Sequence, residues 1–108
     1  MGKVYVSGPL SAATEEGVQA NKARMRAAEA ALQAAGFTVV CPLDNGLHES
    51  AKWEEHMRAD VRLMLADDVD TVALMDGWHD SRGARIEAQL ARDLGLRVQP
   101  IVILLSQP

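Results

Sequence analysis

Thr71-Val72-Ala73-Leu74-Met75-Asp76-Gly77-Trp78-His79-Asp80-Ser81-Arg82-Gly83-Ala84-Arg85-Ile86-Glu87 sets an apolar segment, a polar turn and the start of an amphipathic helix in direct succession. Its first five residues are apolar or β-branched and read as a buried strand. Residues 76–80 supply the glycine and polar side chains of a loop. From Gly83 to Leu94 apolar residues return at a period near 3.6, and Gly95 closes the helix they define. A buried strand followed by a short loop and a helix is half of a βαβ unit, and parallel strands joined that way take right-handed crossovers.

The same alternation recurs upstream. Lys3 to Val6 is a short strand broken at Ser7-Gly8-Pro9. Val18 to Ala35 is a helix with Val18, Met25 and Leu32 along one face and Gly36 as its C-terminal cap. Thr38 to Cys41 is a second strand, stopped by Pro42, and Trp53, Met57, Val61 and Met64 or Leu65 mark a second amphipathic helix running to about Ala66. The apolar run from Val98 to Leu105 reads as the last strand. Pro100 has no amide proton to give to a ladder, so that strand lies at an edge or begins after Pro100. The expected fold is α/β: one flavodoxin-like three-layer domain over residues 1–108, with a parallel sheet of four or five strands.

Composition narrows the function classes. A chain of 108 residues, 48% hydrophobic, makes one domain with a small core. A homodimer or higher oligomer is therefore expected, with Met57, Val61, Met64 and Leu65 offered to a second copy. The net charge of −4 argues against nucleic acid as a partner, because phosphate-backbone binders carry a basic stripe. Cys41 is the only cysteine, which rules out an internal disulfide and fits a reduced, cytoplasmic setting. No apolar run approaches a bilayer span, so no membrane partner is expected. His48, His56 and His79 lack close metal-ligand spacing, and the isolated Gly8 and Gly83 make neither a phosphate loop nor a dinucleotide fingerprint, so no metal or cofactor is expected.

Chemistry-bearing residues converge where a parallel sheet binds ligands, outside the carboxyl ends of its strands. Tyr5 to Pro9 follow the first strand, Pro42 to Gly46 the second, and Asp76 to Glu87 the third. A glutamate one turn into the helix points back over that edge, and Gly83 lets backbone approach a ligand. A carboxylate there can attack an anomeric carbon, because the transition state is oxocarbenium-like and draws negative charge toward C1. Tyr5 can orient it, Asp60 can bind sugar hydroxyls or assist departure of a base, and Trp78 can stack on that base. Each residue also has a purely structural reading: Glu87 and Asp60 as solvated helix residues, Ser81 or Asp80 as a helix cap, Tyr5 as core and Trp78 as an interface.

Tyr5-Val6-Ser7-Gly8-Pro9, the helix carrying Asp60, and Gly77-Trp78 followed by Ser81, Gly83 and Glu87 resemble the nucleoside 2-deoxyribosyltransferase-like superfamily. In particular they are similar to a branch of small proteins with a Gly-Trp and Ser-Arg-Gly-Ala signature, and the resemblance spans nearly the whole chain. The resemblance implies that Glu87 is the nucleophile forming a glycosyl-enzyme intermediate, that Tyr5 orients it, and that Asp60 contacts the sugar or helps protonate the leaving base. Ser81 stands six residues before Glu87, as in the nucleotide N-hydrolases, where that serine touches a 5′-phosphate. The hydrolases also use a serine and an arginine in the first loop, and Pro9 and Ser11 occupy those places here. Ser11, Arg82 and Arg85 are the candidate substitutes, with Ser7, Gly8, Pro9, Trp78, Ser81, Arg82 and Gly83 expected to line the substrate. Two function classes follow: an enzyme cleaving the N-glycosidic bond of a nucleoside or nucleoside 5′-monophosphate, or a non-catalytic module that holds a nucleotide in the same cleft.

Overall fold

The computed structural model describes residues 2–107. Its elements run β1 (Lys3–Ser7), α1 (Glu15–Ala34), β2 (Thr38–Val40), a 3₁₀ turn (Pro42–Asp44), α2 (Trp53–Met64), β3 (Val69–Leu74), a second 3₁₀ turn (Trp78–Asp80), α3 (Arg82–Asp93), β4 (Arg97–Pro100) and α4 (Ile101–Leu105). The four strands form one sheet in the order β2-β1-β3-β4, and every pair is parallel. This is the expected three-layer flavodoxin-like arrangement with four strands.

Strand periodicity sorts the two faces. Val4 and Val6 point to one side, where they meet Met25 and Leu32 of α1 and Leu104 of α4. Tyr5 points to the other, into a cluster with Met64 of α2 and Ala88 and Ala91 of α3. Side chains two apart on a strand share a face, so Ser7 lies on the Tyr5 side. The crossover from β2 to β3 passes over β1, and the chain reverses its direction across the sheet there. Ligand crevices in open α/β sheets form at that switch, here between the carboxyl ends of β1 and β3.

One element differs from the sequence reading. The run Val98 to Leu105 is not a single strand: β4 ends at Pro100, and Ile101–Leu105 is helical. Leu104 is buried and Ile101 packs partly on the same cluster, an i, i+3 pair that brings both onto the α1 side of the sheet. A strand would have aligned Ile101, Ile103 and Leu105 instead, and a short apolar run does not distinguish the two by period. Pro100 does sit on an edge strand, paired with Leu74.

The apolar surplus on α2 is also placed differently. Met64 is fully buried in the core, while Leu65 is exposed. Val102, Ile103 and Leu105 of α4 are the exposed apolar group that the strand reading hid. Among the described residues no helix is long and apolar enough to cross a membrane.

Candidate functional site

Helix α3 buries Ala84, Glu87, Ala88 and Ala91. This i, i+3, i+4, i+7 stripe is the face any amphipathic helix turns inward, and its alanines let α3 lie close to the sheet. The stripe carries one carboxylate. Glu87 is therefore only 5% exposed, not a solvated surface residue.

β1 supplies its partners. The Tyr5 hydroxyl donates to Glu87 Oε2 at 2.7 Å and the Ser7 hydroxyl donates to Oε1 at 2.7 Å. Tyr5 and Ser7 are both fully buried beneath the glutamate. Ser7, expected to touch substrate, thus acts on the carboxylate. No cation pairs with Glu87 among the described residues, so two hydroxyls alone hold a buried charge. Burial pushes the Glu87 carboxyl up to about 7, against the downward pull of the Ser7 and Tyr5 hydrogen bonds, with the Asp60 charge adding to the rise. Burial, and then the Glu87 charge, hold the Tyr5 phenol well above its ordinary value, so it stays a donor.

Glu87 opens onto a cleft of about 840 Å³, within the range of roughly 300–1,000 Å³ usual for small-molecule sites. One wall is α2, which presents Trp53, His56, Met57 and Asp60 at helical i, i+3, i+4, i+7 spacing. Asp60 is 7% exposed, and burial raises its carboxyl, opposed by the Asn45 hydrogen bond. Asn45 Nδ2 donates to Asp60 Oδ1 at 2.8 Å and lies 3.0 Å from His56 Nδ1. Tyr5, Asp60 and Glu87 are thus brought together, as the sequence suggested: Tyr5 bonded to Glu87, and Asp60 lining the same cleft with its charge acting on both.

The loop after β1 forms another wall, with Gly8, Pro9 and Ser11 lining the cleft. Asn21 of α1 is buried and donates to the carbonyls of Leu10 and Ser11, fixing that loop. Gly8 is needed for packing: a Cβ there would stand 2.7 Å from Met75 Sδ and 2.8 Å from Met75 Cβ. Gly8→Ala should therefore cost about 1–3 kcal/mol, the usual penalty for overpacking. A denaturant midpoint checks this, and an unchanged midpoint would show that the β1 and β3 ends separate freely.

Gly83 lines the cleft, yet its missing side chain makes room for Met57 Sδ, 3.0 Å from where a Cβ would be. Helices α2 and α3 approach each other through that gap. Ser81 caps α3, its hydroxyl oxygen accepting from Ala84 N at 3.2 Å, while its own proton remains available to the cleft it lines. The cap and the ligand contact weighed for this serine are compatible. Arg82 lines the cleft with its guanidinium 4.2 Å above the Trp53 ring. Arg85 instead donates to the His79 carbonyl and is not among the lining residues.

Trp78 is the expected contact that falls elsewhere. It packs on the Tyr5 cluster, beside His79 and beneath Arg92, and does not line the cleft. The 3₁₀ turn that follows Gly77, at φ +84°, turns the ring inward. Trp53 is the aromatic that faces the cavity. Sequence reading assigned Trp53 only to a helix face and missed Asn45 and His56, although the 53, 56, 57, 60 spacing carried the signal for all but Asn45. Asn45 becomes visible only once the loop after β2 meets α2.

Among the described residues, Glu29, Cys41 and Asp44 form the grouping with metal-ligand chemistry. Arg26 bridges its two carboxylates at 3.1 and 2.9 Å, so a positive group is already in place, and none of the three lines the cleft.

Residues 2–100 match the family described as Domain of unknown function (DUF4406), and the chain belongs to that family. No curated protein matches the sequence.

Proposed function

We propose that this protein cleaves the N-glycosidic bond of a nucleoside or nucleoside 5′-monophosphate, with Glu87 as nucleophile. One observation carries the reading: a buried carboxylate at the cleft, gripped through both oxygens by hydroxyls and, among the described residues, paired with no cation. Such a group costs stability, and perturbed carboxylates of this kind concentrate at catalytic centres. A module that only held a nucleotide would gain nothing from it. The resemblance to the nucleoside 2-deoxyribosyltransferase-like superfamily supports the same roles for Tyr5, Asp60 and Glu87.

In this mechanism a Glu87 oxygen bonds to C1 of the sugar as the C1–N bond breaks, and its electron pair leaves with the base. Tyr5 and Ser7 hold the carboxylate in line for attack. Asp60, fixed by Asn45, contacts the sugar or helps protonate the base. Water or a second base then takes the sugar from Glu87. Ser81 and Arg82, with Ser11 across the cleft, form the end suited to a 5′-phosphate, where helix amides and a guanidinium favour an anion. Trp53 replaces Trp78 as the stacking surface.

The test is a chromatographic assay of base release from a panel of nucleosides and 5′-monophosphates, followed by intact-mass detection of a sugar adduct trapped with a slow fluorinated analogue. An adduct on Glu87 supports the mechanism, and absence of base release from the whole panel overturns it. The nucleophile must be ionised, so kcat/KM should rise with pH through about 7. The Ser7 hydrogen bond lowers the Glu87 value, so Ser7→Ala should move this limb to higher pH. A pH–rate profile that keeps its limb in place in the variant would remove Ser7 from the mechanism.

A further inference from the structure

Asn45 has a fixed hydrogen-bond inventory. Its side-chain Oδ1 accepts from the backbone N–H of Leu47 at 2.9 Å. That amide can only donate, so it orients the Asn45 side chain with its oxygen toward Leu47 and its nitrogen toward α2. The two hydrogens of Nδ2 then meet two partners, Asp60 Oδ1 at 2.8 Å and His56 Nδ1 at 3.0 Å. An amide nitrogen does not accept, so His56 Nδ1 is the acceptor and carries no proton. The proton of the neutral ring is on Nε2. His56 lines the cleft one helical turn from Asp60, and Nε2 is the ring nitrogen left to meet a ligand.

We propose that His56, locked by Asn45 as the neutral Nε2–H tautomer, is the hydrogen-bond donor to the departing base. The assignment rests on the glycosidic-cleavage reading and adds to it a role separate from that of Asp60. When the C1–N bond breaks, its electron pair turns the base into an anion, with charge spread onto an acceptor beside the broken bond, such as a pyrimidine O2 or a purine N3. His56 holds that charge with a hydrogen bond and keeps its own proton, because a neutral imidazole is too weak an acid to surrender it; the same logic makes a neutral histidine an electrophile in other enzymes. The departed base then takes its proton from water or with the help of Asp60, and the sugar remains on Glu87. Asn45 is a positioning residue: it sets the His56 tautomer and anchors Asp60 with the same amide group. The substrate class that follows is a nucleobase that leaves as an anion and carries an acceptor next to its glycosidic nitrogen.

The experiment compares wild type, His56→Ala, His56→Gln and Asn45→Ala on nucleosides that share one sugar and differ only in the acidity of the base. A donor aimed at developing charge contributes about a hundredfold or more. His56→Ala should therefore lose about a hundredfold on the poorest leaving base and less than about tenfold on the most acidic one, steepening the dependence of rate on leaving-group acidity. His56→Gln, which keeps an N–H donor, should restore most of the loss, and Asn45→Ala should show a smaller loss with the same steepening. In parallel, ¹⁵N NMR of the imidazole should show a bare Nδ1 and a protonated Nε2 in wild type. A loss equal across the series, no loss in either His56 variant, or a protonated Nδ1 overturns the His56 assignment and leaves Glu87 standing. Wild type that releases no base at all overturns the glycosidic reading and this assignment with it.

Discussion

Glu87→Ala should reduce base release by about a hundredfold or more while leaving ligand affinity nearly unchanged. A nucleophile does most of its work in the transition state, so its loss appears in kcat rather than in binding. A hundredfold corresponds to about 3 kcal/mol of barrier. Tyr5→Phe should slow turnover less, because it removes one of two hydroxyls that hold the carboxylate and leaves the attacking group in place. Steady-state kinetics with calorimetric binding in the same buffer separates the two effects. Base release that survives Glu87→Ala at near wild-type rate would eliminate the mechanism. Loss of affinity in step with turnover would instead make Glu87 a binding residue.

The second large effect has the opposite sign and concerns stability. An ordinary glutamate loses its proton near 4.5, whereas Glu87 in the fold keeps it up to about 7. Between those values the folded chain holds a proton that the unfolded chain has lost, so the fold becomes less stable as pH rises across the window. Below 4.5 both states are protonated and the contribution is fully present; above about 7 it is gone. The span amounts to about 3 kcal/mol, and the near-complete burial of Glu87 means little of it is screened by solvent. Glu87→Gln is uncharged at every pH and can still bond to both Tyr5 and Ser7. It should therefore be more stable than wild type at pH 8 by up to about 3 kcal/mol, with most of the difference gone at pH 5. Urea midpoints at the two pH values measure this. A wild type as stable as the glutamine variant at pH 8 would mean that Glu87 is not desolvated. Together the two results describe one residue that costs stability in the ionised form its chemistry needs.

Much of the architecture was legible in local sequence because the signals were local. The apolar run Thr71 to Met75, the Gly36 and Gly95 helix ends, and the 3.6 period of α1 to α3 each follow from near neighbours along the chain. They fix a parallel sheet with helices on both faces. The run Val98 to Leu105 resisted this reading because five apolar residues fit a helix or a strand equally well, and packing of Leu104 decided between them.

The site divides along the same line. Sequence pattern alone gathers Tyr5, Ser7, Asp60 and Glu87 at one sheet edge, because topology brings strand ends and helix faces there. It also held the Ala84, Ala88 and Ala91 stripe that turns Glu87 inward. Packing between elements sets the Ser7 bond to the carboxylate, the room that Gly8 leaves for Met75 and the turning of Trp78 away from the cavity. The same packing joins Asn45 to His56 and Asp60, across a loop and a helix. These are contacts between separate elements, set by how side chains fill shared space, and no local pattern in the chain encodes them.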